Sequence, residues 1–453
     1  MLQQLLFKRI DNSSLIVFRI FFGILISLEC FGAILTGWVK RTLIEPSFTF
    51  TFIGFEWLQP LPGNGMYFYF IFMGLLGVFI ALGYKYRTSI ILFTLLWTAV
   101  YLMQKTAYNN HYYLLILISF IMCFLPANRY ASLDTKLNPS RISMHMPAWV
   151  KWAIIFQLFI VYTYAALAKL YGDWLDLSII AILMKGKAAY PLIGEGLQQP
   201  WVHSAIAIIG ILFDLLIVPA LLWKPTRKPA FYFSLFFHLF NSIVFQIGIF
   251  PYLALAFTVF FFPPRQIRNI FLKKKELYNA HEVQVPRYKN ILFAGLGVYF
   301  ILQIALPLRH YFIPDDVLWT EEGHRMSWRM MLRTRAGIIK YSVVNKDTGE
   351  ATVITPGLYL SRKQMEKVSC YPDYIWQFAQ FLKKEYAAQG QNVSVYARAR
   401  VSINGRPLQP FIDSTVDLAA EEWHPLKHHH WILPSALGTS VKSLPGSSSN
   451  FAN

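Results

Sequence analysis

The stretch LIVFRIFFGILISLECFGAIL at residues 15–35 decides the class of fold. Only two of its 21 residues, Arg19 and Glu29, are charged. A helix of roughly 20 apolar residues crosses a bilayer core about 30 Å thick, so this run is long enough to span a membrane. It is longer than the apolar part of a signal peptide and ends without an obvious cleavage site, which predicts a retained span rather than a removed leader.

Runs of the same kind recur along the first two thirds of the chain. Those at residues 112–126 and 251–263 are short, and we expect them to be half-spans or a re-entrant pair. Together the runs predict an all-α polytopic membrane domain of about nine transmembrane helices over residues 1–308. After the first run, they lie at residues 66–83, 88–104, 112–126, 148–170, 202–223, 229–249, 251–263 and 290–308.

The composition argues against a soluble enzyme and against a nucleic-acid partner. The chain is 55% hydrophobic and 15% charged, whereas a soluble domain has about 25% charged residues. The net charge of +18 could indicate nucleic-acid binding in a soluble protein. Here the basic excess lies mainly between apolar runs, where short cytoplasmic loops collect Lys and Arg. We therefore expect the lipid bilayer as a partner and no nucleic acid.

The positions of the basic loops predict the orientation. With a cytoplasmic N-terminus, nine spans place the main basic loops on the cytoplasmic side. The region after residue 308 is then exoplasmic, facing the periplasm across a bacterial inner membrane or the lumen across an endoplasmic reticulum membrane. The loops in question contain Lys85 and Arg87; Arg129, Lys136 and Arg141; Lys224, Arg227 and Lys228; and Arg265, Arg268 and Lys273 to Lys275.

The C-terminal region has a different pattern, which predicts a small α+β exoplasmic domain at residues 309–434. Hydrophobic alternation at residues 338–344, 351–354 and 393–401 indicates strands joined by turns. Residues 364–386 indicate one or two amphipathic helices, broken near Pro372. The Ser- and Gly-rich residues 435–453 are predicted to form a disordered tail.

Lys169 is a candidate base, because an ionisable group in a span costs roughly 2.5–3.5 kcal/mol on insertion scales and is a functional candidate. It lies near the exoplasmic end of its span, with small alanines one turn earlier and Tyr162 seven residues earlier. Taking an ammonium out of water favours the neutral amine, which can remove a proton from a weak acid. The alternative is that Lys169 extends its ammonium to the membrane interface.

Two further polar groups of residues are candidates for binding. Asn109, Asn110 and His111 could orient an anion or a quinone oxygen, or the amides could instead cap the next helix. His238, Asn241 and Ser242 share one helical face within a span, where interhelical hydrogen bonding is the alternative. Consecutive side chains of His428, His429 and His430 point in different directions, so a solvated loop is expected there. No metal site and no phosphate-, nicotinamide- or zinc-protease motif is predicted.

These motifs together resemble the vitamin K-dependent γ-glutamyl carboxylases, within the wider group of horizontally transferred transmembrane domain proteins. The order of the motifs along most of the chain makes the resemblance specific. Full-length animal carboxylases continue well beyond residue 453, so we interpret the chain as a compact homologue of the bacterial type. Tyr108 and Arg329 depart from the family pattern, which has a tryptophan and an acidic residue there. The matching motifs are Val17-Phe18-Arg19, Lys105-Thr106, Asn109-Asn110-His111, Phe159-Ile160-Val161-Tyr162, Lys169-Leu170, Asp173-Trp174, Phe237-His238, Asn241-Ser242, Ile247-Gly248, Ser327-Trp328, Met330-Met331 and Trp423.

The resemblance implies that vitamin K hydroquinone, O2 and CO2 react with a glutamate-containing polypeptide, without a metal. Vitamin K is oxygenated to its epoxide, and the glutamate becomes γ-carboxyglutamate. By the same matching, Lys169 deprotonates the hydroquinone and His111 assists carboxylation. The quinone would be bound by Asn109, Asn110, Tyr162, His238, Asn241, Met330 and Met331, and the polypeptide by Trp328 and Arg329.

Two other functions stay open at the level of sequence. The chain could oxygenate the hydroquinone without carboxylating a peptide, or it could be a non-catalytic membrane binding or assembly protein. An active enzyme would also need a quinone reductase to recycle its product.

A quinone arrives through lipid and a polypeptide arrives from water, so we expect the site at the membrane interface near the exoplasmic domain.

Overall fold

The computed structural model describes residues 2–280 and 282–435. The tail predicted to be disordered therefore lies outside the described residues, except for Ser435. The chain divides into two compact units. The first comprises the described parts of residues 1–163, 214–305 and 359–361, and the second those of residues 164–213, 306–358 and 362–453.

The described residues are mainly helical, with six strands. In chain order, the helices are α1 Leu2–Phe7, α2 Ser13–Leu35, α3 Gly65–Leu82, α4 Tyr86–Met103, α5 Asn110–Met122, α6 Leu133–Leu137, α7 Ala148–Ala168, α8 Gly172–Leu175, α9 Ser178–Lys185, α10 Pro200–Leu222, α11 Arg227–Val244, α12 Phe250–Phe257, α13 Pro264–Phe271, α14 Lys289–Leu308, α15 Val317–Thr320, α16 Arg362–Val368 and α17 Pro372–Ala388. The strands are β1 Arg9–Asp11, β2 His145–Pro147, β3 Arg335–Asn345, β4 Ala351–Ile354, β5 Val393–Ile403 and β6 Gln409–Pro410.

The predicted number of about nine spans is not confirmed. Within the described residues, six helical segments are long and apolar enough to cross a membrane: α2, α3, α4, α7, α10 and Lys289–Phe312. Helix α5 has 13 residues, which at 1.5 Å per residue gives about 20 Å, less than the bilayer core. Helix α12 is shorter still, and α11 is made less apolar by residues such as Arg227, Lys228, His238 and Asn241.

Small residues bring α2 and α3 of the first unit close together. A Cβ atom added to Gly23 would lie 2.4 Å from the backbone nitrogen of Ala81. The hydroxyl of Ser27 donates to the carbonyl oxygen of Gly74 at 3.0 Å. In a bilayer, small residues favour helix association because they allow backbones to approach. A side chain at position 23 would therefore separate this helix pair.

Arg19 provides the polar link of the same unit. Its side chain is fully buried. One guanidinium nitrogen donates to the carbonyl oxygens of Ala127 and Tyr130, and the other to those of Ala81 and Ala131, at 2.6–3.4 Å. Buried backbone carbonyl groups need hydrogen-bond donors, and the guanidinium supplies them here. Arg19 and Glu29 have separate partners, because Glu29 accepts a hydrogen bond from Tyr112 instead.

Replacing Arg19 with methionine should strongly destabilise the first unit. The change keeps an apolar stem but leaves buried carbonyl groups without donors, and we expect a loss of about 3 kcal/mol in the free energy of unfolding. Thermal unfolding in detergent would measure it. Arg87→Met is the control, because Arg87 is exposed on α4. Equal midpoints for the two variants would contradict the structural role of Arg19.

The second unit contains an antiparallel sheet in the order β4-β3-β5-β6. The long pair β3 and β5 runs in register from Arg335 opposite Ile403 to Asn345 opposite Val393. Helix α17 covers the sheet, with the ring of Phe378 at 5.1 Å from that of Tyr341. The expected strands and the break between α16 and α17 near Pro372 are therefore present, and the region has both helices and strands as predicted.

Candidate active site

Lys169 of the second unit follows directly after α7, which ends at Ala168. Its side chain is only 8% exposed. The Nζ atom donates to the carbonyl oxygen of Ala165 at 3.2 Å and lies 5.4 Å from the ring centroid of Trp174. A cation at this distance from an indole face is attracted by the ring electrons. The Lys169 side chain is thus largely shielded from water and lies beside an aromatic ring.

Trp174 is itself held in place by α10. Its indole nitrogen donates to the carbonyl oxygen of Ala207 at 3.3 Å. A Cβ atom on Gly210 would lie 3.2 Å from the Trp174 ring and 3.8 Å from Cε of Lys169. Contacts between 3.0 and 3.4 Å are tighter than ordinary packing. The absence of a side chain at Gly210 therefore leaves room for the lysine and the tryptophan together.

Asp173, next to Trp174, binds the turn that follows β5. The guanidinium of Arg406 donates to both carboxylate oxygens at 2.7 and 2.5 Å, and the amide of Asn404 donates at 2.5 Å. Two parallel hydrogen bonds between arginine and a carboxylate fix both position and orientation. They also hold the pKa of the Asp173 carboxyl below its usual range. This clamp ties the segment carrying Trp174 to the sheet.

In the first unit, aromatic and imidazole rings form a connected group. A 3.3 Å hydrogen bond joins the Tyr162 hydroxyl on α7 to Nε2 of His238 on α11, and His238 is only 1% exposed. The ring of Phe250 lies 5.9 Å from that of His238 and 6.4 Å from that of His111. Interhelical hydrogen bonding, the alternative for His238, is therefore present. The structure brings Tyr162, His238 and His111 into one group around Phe250.

The segment before α5 uses its polar side chains locally. The Asn109 side chain accepts a hydrogen bond from the backbone N–H of Tyr112 at 2.7 Å and caps the helix. The Tyr108 hydroxyl donates to the Asn110 side chain at 3.0 Å. Capping, the alternative for these amides, is thus present for Asn109. The predicted quinone contacts of both asparagines stay predictions.

His111 is placed by its neighbour Tyr112. The two rings lie 4.8 Å apart, nearly perpendicular. The Tyr112 hydroxyl donates to Glu29 of α2 at 2.6 Å, and its ring packs edge-on against Trp97 at 5.1 Å. Because Tyr112 is anchored on two sides, it restricts the turn that carries His111.

Asn241 and Ser242 follow His238 on α11. The Ser242 hydroxyl is 3.0 Å from the Tyr252 hydroxyl. Among the described residues, the Asn241 side chain forms no such hydrogen bond. The predicted binding role of Asn241 stays a prediction.

Trp328, Arg329, Met330 and Met331 lie in an irregular segment of the second unit. Trp328 and Met331 have φ of +56° and +57°, a region that costs non-glycine residues free energy and is often found at functional sites. The Trp328 side chain is only 1% exposed. The guanidinium of Arg329 lies 3.4 Å from Nε2 of His310. Their predicted contacts with quinone and polypeptide stay predictions.

The expectation of a solvated loop at His428–His430 is wrong for His429. That side chain is 5% exposed, and its ring stacks on Trp423 at 4.2 Å. Glu322 accepts hydrogen bonds from Nδ1 of His428 and Nδ1 of His429, both at 2.7 Å. A buried carboxylate requires such donors, which explains the order of the loop. In the described residues, no group of three or more His, Cys, Asp or Glu is placed to hold a metal ion.

Two protein families match the chain in succession. Residues 7–265 match the HTTM domain, and residues 288–437 match the lumenal domain of vitamin K-dependent gamma-carboxylase. The chain belongs to the vitamin K-dependent gamma-carboxylase family. No solved structure matches it significantly. Membership of this family accounts for an apolar helical portion followed by a region with strands.

Sequence reasoning did not assign a role to three residues that contact or position candidate site residues. Asp173 and Trp174 form one of the motifs named above. The spacing of residues in the sequence did not predict that Trp174 contacts Lys169 or that Asp173 pairs with Arg406. Glu29 had appeared as an ionisable group within a span. Its partner Tyr112 could have been suspected only from its place beside His111.

Replacing Arg406 with alanine should change stability in a pH-dependent way. The lowered pKa of Asp173 means that the pairing stabilises the fold above the unfolded-state pKa of about 3.9. This contribution is lost as pH falls through the lower folded-state pKa. We expect a loss of about 1–2 kcal/mol at pH 7 that shrinks below about pH 4. Thermal unfolding across this range would measure it.

Arg398→Ala is the matched control for Arg406→Ala, because Arg398 is exposed on β5. It should shift the unfolding midpoint little at any pH. A difference between Arg406→Ala and wild type that stays constant from pH 7 to pH 3 would contradict the ion pair.

Proposed function

We propose that the chain carboxylates the γ-carbon of glutamate in a polypeptide and couples this to oxygenation of vitamin K hydroquinone to the epoxide, with O2 and CO2 consumed. The observation that carries the proposal is the buried Lys169 ammonium against Trp174. An ionisable group is costly in an apolar setting and is expected to have a function there. Family membership supplies the reaction class.

The residues present suit a hydroquinone. Its flat apolar ring matches aromatic neighbours, and its two oxygens match hydroxyl, imidazole or amine groups. The group around Phe250 offers the Tyr162 hydroxyl and two imidazoles, while Trp174 offers an aromatic face beside Lys169. When bound, the hydroquinone supplies on oxygenation the strong base that removes the γ-proton of glutamate.

Lys169 is assigned as the residue that accepts a proton from a hydroquinone hydroxyl. Its side chain is shielded from water, and the Ala165 carbonyl can accept a hydrogen bond from the protonated amine. Shielding from water also protects basic species from protonation by solvent. Trp174 and Gly210 act through Lys169, since they set the position of its side chain.

His111 is assigned to the carboxylation half of the reaction, with Tyr162 and His238 holding the quinone. An imidazole nitrogen can accept or donate a hydrogen bond, which suits a group that assists proton removal and CO2 addition. The connection from Glu29 through Tyr112 supports this, because it restricts the turn on which His111 lies. Asn109, Asn110 and Asn241 are further proposed quinone contacts.

The irregular segment at residues 326–331 is proposed to meet both substrates. Met330 and Met331 would cover the quinone, and Trp328 with the positive Arg329 would contact the glutamate-containing polypeptide. A positive side chain attracts a substrate carboxylate. We further propose a cytoplasmic N-terminus, an exoplasmic C-terminal domain, a boundary near residue 308 and a separate quinone reductase that regenerates the hydroquinone.

Lys169→Ala should abolish both products. Purified protein would be incubated with vitamin K hydroquinone, O2, labelled bicarbonate and a short glutamate peptide, and epoxide and fixed label would be measured together. Loss of a general base lowers the rate by about 100-fold or more, and without the first proton transfer neither product should form. Lys185→Ala, at an exposed lysine of the same unit, should retain both activities.

The products formed by the wild-type protein alone distinguish between the candidate functions. Epoxide without fixed label would select a hydroquinone epoxidase, and neither product from folded protein would favour a non-catalytic role. Full activity of Lys169→Ala would contradict the assignment of the base.

His111→Ala should separate the two products. We expect the fixed label to fall about 100-fold while epoxide still forms, because His111 is assigned to the glutamate and not to the hydroquinone. His145→Ala is the control, at a histidine of β2 in the same unit. If epoxide and label fall in parallel while folding is intact, the assignment of His111 to carboxylation is wrong.

A further inference from the structure

An apolar groove of about 720 Å³ lies in the first unit, apart from the residues assigned above. It is formed between α2, α11, α12 and α13. Tyr232 and Ile270 on its wall are well exposed, so the groove opens to the outside of the unit. The apolar lining includes Phe21, Leu25, Phe231, Leu235, Leu255 and Ile270. Sites for single apolar ligands have this size range and this kind of lining.

Three polar residues of the groove lie on α11 and α13. Lys228 is the second residue of α11, and Gln266 and Asn269 are three residues apart on α13. Leu235 lies two turns beyond Lys228 on the same helix, about 10 Å along its axis at 1.5 Å per residue. The groove therefore offers a cation at the start of α11 and a length of apolar wall beyond it.

The stretch that forms α11, α12 and α13 carries formal charge of one sign. From Lys224 to Lys275 the sequence has eight basic residues and no acidic residue. Lys275 is used within the fold, since its buried ammonium pairs with Asp11 at 2.7 Å. Arg268 donates to the Lys275 carbonyl oxygen at 2.7 Å. The exposed basic side chains of this stretch include Lys228, Arg265, Lys273 and Lys274.

We propose that this groove binds an anionic phospholipid, with one acyl chain along the apolar wall and the phosphate at Lys228. Basic pockets between membrane helices bind anionic headgroups, and each nearby Lys or Arg adds to the affinity. Gln266 and Asn269 can donate hydrogen bonds to phosphate or glycerol oxygens. A neutral chain, such as a polyisoprenoid, would gain nothing from this positive surrounding. The site does not depend on the proposed carboxylase activity.

Lipid binding to the full chain tests the proposal directly. Protein in detergent would be titrated with phosphatidylglycerol or phosphatidylcholine of identical acyl chains, and bound lipid counted by native mass spectrometry. The wild type should prefer phosphatidylglycerol. Lys228→Gln should weaken phosphatidylglycerol binding about fivefold and leave phosphatidylcholine unchanged. Leu235→Trp, which fills the groove, should weaken binding of both lipids.

Lys224→Gln is the matched control, because Lys224 is an exposed lysine of the same basic stretch that does not line the groove. It should bind phosphatidylglycerol as the wild type does. An equal loss in Lys224→Gln and Lys228→Gln would show a diffuse charge effect and overturn the site. Equal wild-type affinity for both lipids would also overturn it. A third result would also overturn the site: a neutral polyisoprenoid quinone displaces phosphatidylglycerol equally well from the wild type and from Lys228→Gln.

Discussion

The donation of hydrogen bonds from Arg19 to four backbone carbonyl groups is the constraint on which the first unit depends. The acceptors at Ala127, Tyr130 and Ala131 belong to the irregular chain after α5, and Ala81 belongs to α3. These carbonyl groups are shielded from water by the fold, so a buried donor must satisfy them. With the close contact at Gly23, one polar and one steric condition thus fix α2 against its neighbours. Helix α5 is joined to α2 by the hydrogen bond from Tyr112 to Glu29, and α12 is joined to it by the stacked rings of Phe18 and Phe257 at 4.9 Å.

The class of fold could be predicted from sequence because it depends on local properties. Apolar runs of about 20 residues give membrane helices, and alternation in residues 393–401 gives the strand β5. The number of spans could not be obtained in this way, since α5 and α12 are apolar but too short and α11 contains Arg227 and His238. Hydrophobicity shows where lipid or protein surrounds a segment, but it does not distinguish between the two.

The candidate site was predictable only in part, for a related reason. Lys169 and His238 could be singled out because a polar group in an apolar run needs an explanation. Their partners could not, since hydrogen bonds such as that from Tyr162 to His238 join residues 76 positions apart. The same limit explains the histidine tract, because the carboxylate of Glu322 lies 107 positions before His429. Spacing reports neighbours along one helix, whereas burial and partners depend on the tertiary fold.

The burial of Lys169 has a cost that its contacts offset. Taking an amine out of water costs free energy unless the group finds partners within the protein. The Ala165 carbonyl accepts a hydrogen bond from Nζ at 3.2 Å, and the ring centroid of Trp174 lies 5.4 Å from the same atom. The Ala207 carbonyl in turn accepts a hydrogen bond from the Trp174 indole, and the absence of a side chain at Gly210 leaves room for both residues. The position of the Lys169 side chain is therefore set by contacts within the protein and not by solvent.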